Sequence, residues 1–276
     1  MSAKPLLRWV GGKTQLLSYL LELVPKQFNR YYEPFVGGGA FYYALNPGNA
    51  VLNDFNPRLI NVYTQVRDNV QSVISHLYTF EYSAQCYYEQ RNALNAEKLD
   101  QLDTLSAARF IFLNKTCFNG LWRENASGQF NVPYGGDRKR AKHVDISNLL
   151  ECSNRLRGSA YSQMQTGTIL RCKDFADSLF DVLPGDFVYF DPPYIPLKTT
   201  SFVDYKADGF DYKEQVRLRD LAYKLKDNGV HVMLSNSDTT LTRQLYADFE
   251  LYEVKARRSV NSNGAGRGRI GELIIK

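Results

Sequence analysis

The sequence predicts an α/β fold in which helices cover a sheet of short strands and an inserted segment interrupts the core. Three observations predict it. Short apolar runs such as NAVLN, FVYF and HVMLS lie between stretches of helical spacing. Two of those runs lead directly into an aspartate, at Asp54 and Asp191, and ligands of open α/β sheets collect beyond the carboxyl ends of strands. From about residue 81 to 165 the alternation stops, giving way to helical patterns and then a turn-rich basic stretch. The expected division is a core of residues 1–60 and 166–276 around an insertion of residues 61–165.

In chain order, TQLLSYLLELVP spaces its leucines as an amphipathic helix that Pro25 closes, and Gly11, Gly12 and Lys13 form a turn before it. YYEPFVGGGAFYYAL reads as an aromatic strand, a glycine turn and the start of a helix. NAVLNDFN is a strand that reaches Asp54. Residues 58–80 return to helical spacing, with Leu59, Ile60, Tyr63, Val66 and Val70 as the buried stripe. Helices are expected through EYSAQ…KTCFN, followed by the aperiodic NGLWRENASGQFNVPYGGDRKRAKHVD and the short helix ISNLLECSNRLRG. Strand and helix then alternate: TILRCKDF, the helix ADSLFDVL, FVYFDPPY, a loop, the helix KEQVRLRDLAYKL, the strand HVMLSNS and the helix TLTRQLYADF. LYEVKARRSV and GELIIK make two closing strands around a polar Gly/Arg loop.

Composition narrows the classes. A chain of 276 residues with net charge +5 can bury a large core and favours an anionic partner. No run approaches a membrane span, and no secretory leader is expected, so the reading is a cytoplasmic protein without membrane association. Cys86, Cys117, Cys152 and Cys172 fit neither a zinc pattern nor a disulfide scaffold, and His76, His143 and His231 are dispersed, so no metal is expected. The abundance of tyrosine and phenylalanine suits stacking on bases and core packing alike.

The chemistry concentrates in DFVYFDPPYIPL. Pro192 and Pro193 end the strand ladder and stiffen the turn that projects Tyr194. A planar amine-bearing ring could stack on Tyr194 while Asp191 and the Pro192 carbonyl accept its amino hydrogens, a site that works by positioning and electrostatics. The plainer reading is a strand terminator and a surface loop. The glycine turn EPFVGGGAF lacks the full dinucleotide fingerprint, and Gly11-Gly12-Lys13-Thr14 is only the tail of a phosphate loop. Asp54 suits hydrogen bonds from ribose hydroxyls.

Taken in order, RWVGGK, EPFVGGG, LNDFN and FDPPY resemble the Dam-like DNA adenine-N6 methyltransferases, the GATC-methylating alpha-group amino-methyltransferases, along essentially the whole chain. The resemblance implies a Rossmann-like S-adenosyl-L-methionine-dependent core with an inserted helical and β-hairpin DNA-recognition subdomain. It implies cofactor contacts from Trp9, Gly11, Gly12, Lys13, Phe35, Gly37, Gly39, Asp54, Asp174, Phe175 and Asp191, and catalysis by Asp191, Pro192, Pro193 and Tyr194. Ser235 and Asn236 match a family feature that supports the catalytic loop. Aspartate at the head of the tetrapeptide favours adenine over cytosine-N4, and no Pro-Cys pair exists for cytosine-C5 chemistry.

For double-stranded DNA, the resemblance implies Arg123 and Arg8 on guanines, Leu121 and Pro133 on the thymine side, Phe118 as a wedge beside a flipped adenine, and a nearby Asn119 hydrogen bond. Arg138, Lys139, Arg140 and Lys142 are candidates for phosphate contact, and a mobile lid over the flipped base is expected from residues 195–212, with Tyr205 its aromatic. A cognate restriction endonuclease, if one exists, is expected on a separate chain. The competing readings are a cytosine-N4 or RNA amino-methyltransferase on the same core, and a catalytically inactive DNA-binding relative.

Overall fold

The structure is a computed structural model that describes residues 3–9, 11–136, 144–158, 167–195, 206–207, 210–257 and 269–276. Its helices are α1 (Leu17–Leu23), α2 (Ala40–Leu45), α3 (Pro57–Asp68), α4 (Val70–Thr79), α5 (Ala84–Ala96), α6 (Thr104–Thr116), α7 (Ile146–Arg157), α8 (Tyr212–Asp227) and α9 (Thr240–Leu245). Its strands are β1 (Tyr31–Glu33), β2 (Ala50–Asn53), β3 (Ile169–Arg171), β4 (Phe187–Phe190), β5 (Lys206–Ala207), β6 (Phe210–Asp211), β7 (His231–Ser237), β8 (Leu251–Arg257) and β9 (Arg269–Ile275). The chain divides into two compact units: Met1–Gly12, Val36–Asn49 and Asn53–Lys173 form one, and Lys13–Phe35, Ala50–Leu52 and Asp174–Lys276 form the other.

The second unit is built on a sheet with strand order β2-β1-β4-β7-β9-β8. Pairing is parallel from β2 through β1 and β4 to β7, then antiparallel through β9 to β8. Every residue of β4 is buried, as expected for a central parallel strand covered on both faces. The register sets Phe190 opposite Leu234, so β4 ends beside the middle of the longer β7 and Asp191 follows at its carboxyl end. Asp211 caps α8 by accepting the Glu214 N–H at 3.1 Å, and Thr239 caps α9 in the same way.

The first unit is mainly helical. Asn56 caps α3 with Pro57 at its first position, and the stripe Leu59, Ile60, Tyr63 and Val66 is buried with Val70 of α4. Residues 58–80 are two helices broken at Asn69, where the single spacing pattern could not show the break. Helix α6 packs against α3, α4 and α5, and its buried residues lie all around it. One helix expected from sequence is absent: ADSLFDVL forms only a 3-10 turn at Asp177–Leu179 in the second unit. The Asp186 carboxylate accepts the Leu183 N–H at 2.9 Å, and Pro184 and Gly185 prevent the turn from extending. Among the described residues no helix is long and apolar enough to cross a membrane.

Candidate active site

The turn after β4 is held from several sides within its own unit. Asp191 Oδ1 accepts two donors, the Lys13 ammonium at 2.7 Å and the Ser235 hydroxyl at 2.9 Å. Ser235 Oγ can in turn accept from Tyr189, 2.8 Å away, because its own proton is committed to the carboxylate. Asp191 Oδ2 meets no donor among the described residues. Gln215 of α8 donates to the Pro193 carbonyl at 2.9 Å, and Asn236 of β7 accepts the Ile195 N–H at 3.0 Å. The Ser237 hydroxyl donates to the Ile195 carbonyl, whereas the Pro192 carbonyl receives no hydrogen bond from the described residues. Tyr194 donates its hydroxyl to Glu272 of β9 at 3.2 Å, and the Lys13 ammonium lies 4.3 Å from the centroid of the Tyr194 ring.

Burial dominates the electrostatics. It raises the Asp191 carboxyl above its ordinary range, against the stabilising effects of Lys13 and Ser235. Burial also raises Glu272, against Lys13 and the Tyr194 hydrogen bond, and lifts the Tyr194 hydroxyl far from ionisation at neutral pH. The Cys117 and Cys152 thiols are pushed up to about 12, chiefly by burial, so neither is an activated nucleophile.

The first unit holds the glycine turn. Gly37 and Gly39 adopt positive φ, and a Cβ on either would lie 2.6 Å from a neighbour: the Trp9 ring for Gly37 and the Tyr63 hydroxyl for Gly39. Asp54, just past β2, accepts the Gly37 N–H through Oδ2 at 3.1 Å and the Asn56 N–H through Oδ1 at 3.0 Å. Burial raises its pKa to about 6, although those backbone donors pull it down. The Tyr63 hydroxyl donates to the Gly37 carbonyl at 2.9 Å, and the Gly12 N–H donates to the Trp9 carbonyl at 3.1 Å. Gly11 also has positive φ, so the expected turn forms, with a 3-10 turn at Lys13–Gln15 before α1.

Phe35 and Phe175 belong to an aromatic cluster in the second unit: their centroids are 5.3 Å apart, and Phe210 meets both. The Asp174 carboxylate is engaged by Arg217, whose guanidinium also lies 4.5 Å from the Phe175 ring centroid. Sequence reading had no access to this pairing.

The candidate DNA-facing residues of the first unit gather around one turn. Asn114 clamps the Arg8 backbone, accepting its N–H at 2.9 Å and donating to its carbonyl at 2.8 Å. The Arg8 side chain lies against Gly120. Phe118 and Asn119 are exposed, with Asn119 at positive φ, and the Phe118 N–H donates to the Pro133 carbonyl at 2.9 Å. Leu121 is half-buried, while Arg123 is exposed and donates to Asn131 at 3.0 Å across a hairpin-like loop bridged at Glu124 and Phe130. Trp122 anchors that loop between Phe110 and Phe130, with centroids at 3.6 and 4.3 Å.

Sequence reading missed the support behind this loop. One face of α5 supplies Tyr87, which donates to the Val132 carbonyl, and Asn95, which bonds both the N–H and the carbonyl of Phe130. It also missed Tyr189, Gln215 and Glu272. Their partners lie in other elements, which residue spacing along the chain does not identify. Arg138, Lys139, Arg140, Lys142 and Tyr205 lie outside the described residues, as does most of the expected lid. For the closing strands, the described backbone pairs Arg257 with Arg269.

A mixed α/β sheet, parallel at its centre, with an Asp-Pro-Pro-Tyr turn at a strand end is the form of a Rossmann-like, S-adenosylmethionine-dependent amino-methyltransferase. The family profile described as D12 class N6 adenine-specific DNA methyltransferase matches residues 9–260. The chain is 40% identical over 279 residues to the Type II methyltransferase M1.LlaDCHI of Lactococcus lactis subsp. cremoris, covering 100% of this chain and 95% of that protein. It is 38% identical to the Type II methyltransferase M.MjaIII of Methanocaldococcus jannaschii, covering 100% of this chain and 99% of that protein. It is 33% identical to the DNA adenine methylase of Escherichia coli K12, covering 97% of this chain and 93% of that protein. The chain therefore belongs to the D12 class of N6 adenine-specific DNA methyltransferases, and its activity is site-specific methyl transfer from S-adenosylmethionine to adenine N6 in DNA.

Proposed function

We propose that the enzyme methylates the adenine of duplex GATC after flipping it beside Tyr194, with Asp191 Oδ2 and the Pro192 carbonyl accepting the two N6 hydrogens. One observation carries this reading: Oδ1 of Asp191 is saturated by Lys13 and Ser235, while Oδ2 and the Pro192 carbonyl receive nothing from the described residues. Two acceptors aimed at one amine keep its lone pair available for attack. Bound cofactor supplies an electrophilic methyl and a neutral thioether leaving group, so the protein need form no covalent bond.

For the cofactor, we assign Trp9, Gly11, Gly12, Lys13, Phe35, Gly37, Gly39, Asp54, Asp174, Phe175 and Asp191. The residues fit: Gly11 and Gly12 are exposed, and the half-buried Asp54 carboxylate can accept ribose hydroxyls. The carboxylate of Asp174 would have to share Arg217 or release it.

On DNA, we assign Arg8 and Arg123 to guanines, Leu121 and Pro133 to the thymine side, Phe118 to the space vacated by the base, and Asn119 to a supporting hydrogen bond. Residues 61–165 serve as the recognition subdomain between core segments 1–60 and 166–276, with Arg138 and Lys139 on phosphates. The proteins named Type II methyltransferases among the relatives favour a modification role beside a separately encoded restriction endonuclease. Transfer of labelled methyl to matched duplexes containing GATC or GTAC, followed by nucleoside analysis, tests the assignment. N6-methyladenine only in the GATC duplex is expected, and equal labelling of both would overturn the recognition residues.

A further inference from the structure

We propose that Glu272 is a positioning residue for methyl transfer, acting through the hydroxyl of Tyr194. The inference rests on the reading of Tyr194 as the ring beside the target adenine. Glu272 is held in β9 opposite Ser237 of β7 on one side and Val254 of β8 on the other, so its backbone is fixed by two strands. Its half-buried carboxylate accepts the Tyr194 hydroxyl at 3.2 Å. An apolar residue would pack there without desolvating a charge, so the carboxylate calls for a reason beyond packing.

The ring gives that reason. The Lys13 ammonium, 4.3 Å from the Tyr194 centroid, marks this ring as one that attracts a cation. During transfer the N6 lone pair forms the N–CH3 bond, and the S–CH3 bond breaks with its electron pair returning to sulfur. The positive charge passes from sulfur to N6, which then loses a proton to Asp191 Oδ2 and on to solvent. A phenol that donates to a carboxylate is fixed in rotation, and its ring gains electron density. Both effects favour the charge as it arrives on N6. Glu272 thereby acts on the transition state while touching neither substrate nor cofactor.

The test is single-turnover methylation of unmethylated genomic DNA by wild type, E272Q, E272A, Y194F, Y194A and the E272A/Y194F double variant, with cofactor affinity and thermal midpoint measured for each. E272A should slow the step about tenfold, and E272Q, which keeps an acceptor but loses the charge, about threefold. Cofactor affinity should stay within about twofold, and E272A should add less than about twofold in the Y194F background. Equal slowing by E272A in both backgrounds overturns the proposal, as does a loss confined to cofactor affinity and thermal midpoint. Y194A at the wild-type rate would instead remove the reading of Tyr194, and the inference with it. Y194A inactive with Y194F at the wild-type rate leaves that reading standing and refutes the role of Glu272.

Discussion

Cofactor affinity should fall as pH drops through about 6, and Asp54 should be the cause. Burial holds this carboxyl at about 6 in the free protein, against an ordinary value of 3.8, while its oxygens accept the Gly37 and Asn56 N–H groups. A folded-state pKa above the unfolded one means that the native state binds the proton more tightly. Ionising Asp54 therefore costs folding stability as pH rises from about 4 through about 6. Ribose hydroxyls would give the ionised form two further donors, so binding selects the carboxylate. If only that form binds, the apparent Kd is multiplied by one plus the ratio of protonated to ionised Asp54. The factor is near one at pH 7.5 and about elevenfold at pH 5, or roughly 1.4 kcal/mol. Calorimetric titration with S-adenosylmethionine between pH 5 and 8 would measure it, with Asp54→Asn as the reference that carries the cofactor's own ionisations. The variant should bind more weakly at pH 7.5 and lose the extra slope. Wild-type and variant curves that run parallel across the range would refute the argument.

Asp191→Asn keeps the shape of the side chain but replaces one acceptor with an amide N–H₂ group. At saturating cofactor it should reduce single-turnover methylation by about a hundredfold or more, and a loss under tenfold would contradict the two-acceptor arrangement. Arg123→Ala should cost about 1–3 kcal/mol on the preferred duplex and relax discrimination at one base pair, read from kcat/KM on single-substitution duplexes. Asn95→Ala leaves the N–H and carbonyl of Phe130 without their partner, so the Phe130 amide should exchange faster and site discrimination should weaken. An unchanged exchange rate would show that the loop is held without Asn95. Gly39→Ala places a Cβ 2.6 Å from the Tyr63 hydroxyl at a positive φ, and should lower the thermal midpoint; a midpoint equal to wild type would show that the turn yields.

What the sequence made legible was local. The strand that stops before Asp191, the turn at Gly37–Gly39, the position of Asp54 after β2 and the buried stripe of α3 each follow from neighbours within a few residues. Periodicity reports that a side chain is buried and says nothing of what it meets. Glu272 reaches Tyr194 from 78 positions away, and Asn95 reaches Phe130 from 35, through strand order and helix packing. The capture of Asp174 by Arg217 of α8 is of the same kind. The helix expected in ADSLFDVL fails for a different reason: its propensity competes with an Asp186 carboxylate that takes the Leu183 N–H, beside a proline that ends the run.

The strand ends on a carboxylate and two prolines because the turn must leave the sheet and still be held rigidly. Neither proline has an N–H to offer β7 or β1, so the chain departs after Phe190. The positions it reaches are fixed by side chains instead: Gln215 on the Pro193 carbonyl, Asn236 on the Ile195 N–H, and Ser235 on Asp191. Asp191, Glu272 and Lys13 together carry one net negative charge when both carboxylates are ionised. In the proposed reaction one positive charge is present throughout, first on sulfur and then on N6. Uniform attraction to that charge would favour ground state and transition state alike and leave kcat unchanged. Rate must come from asymmetry, from negative potential concentrated where N6 sits. The open Oδ2 of Asp191 and a Tyr194 ring enriched through Glu272 provide that asymmetry, with the Lys13 ammonium neutralising charge at Oδ1, on the other side of the same carboxylate.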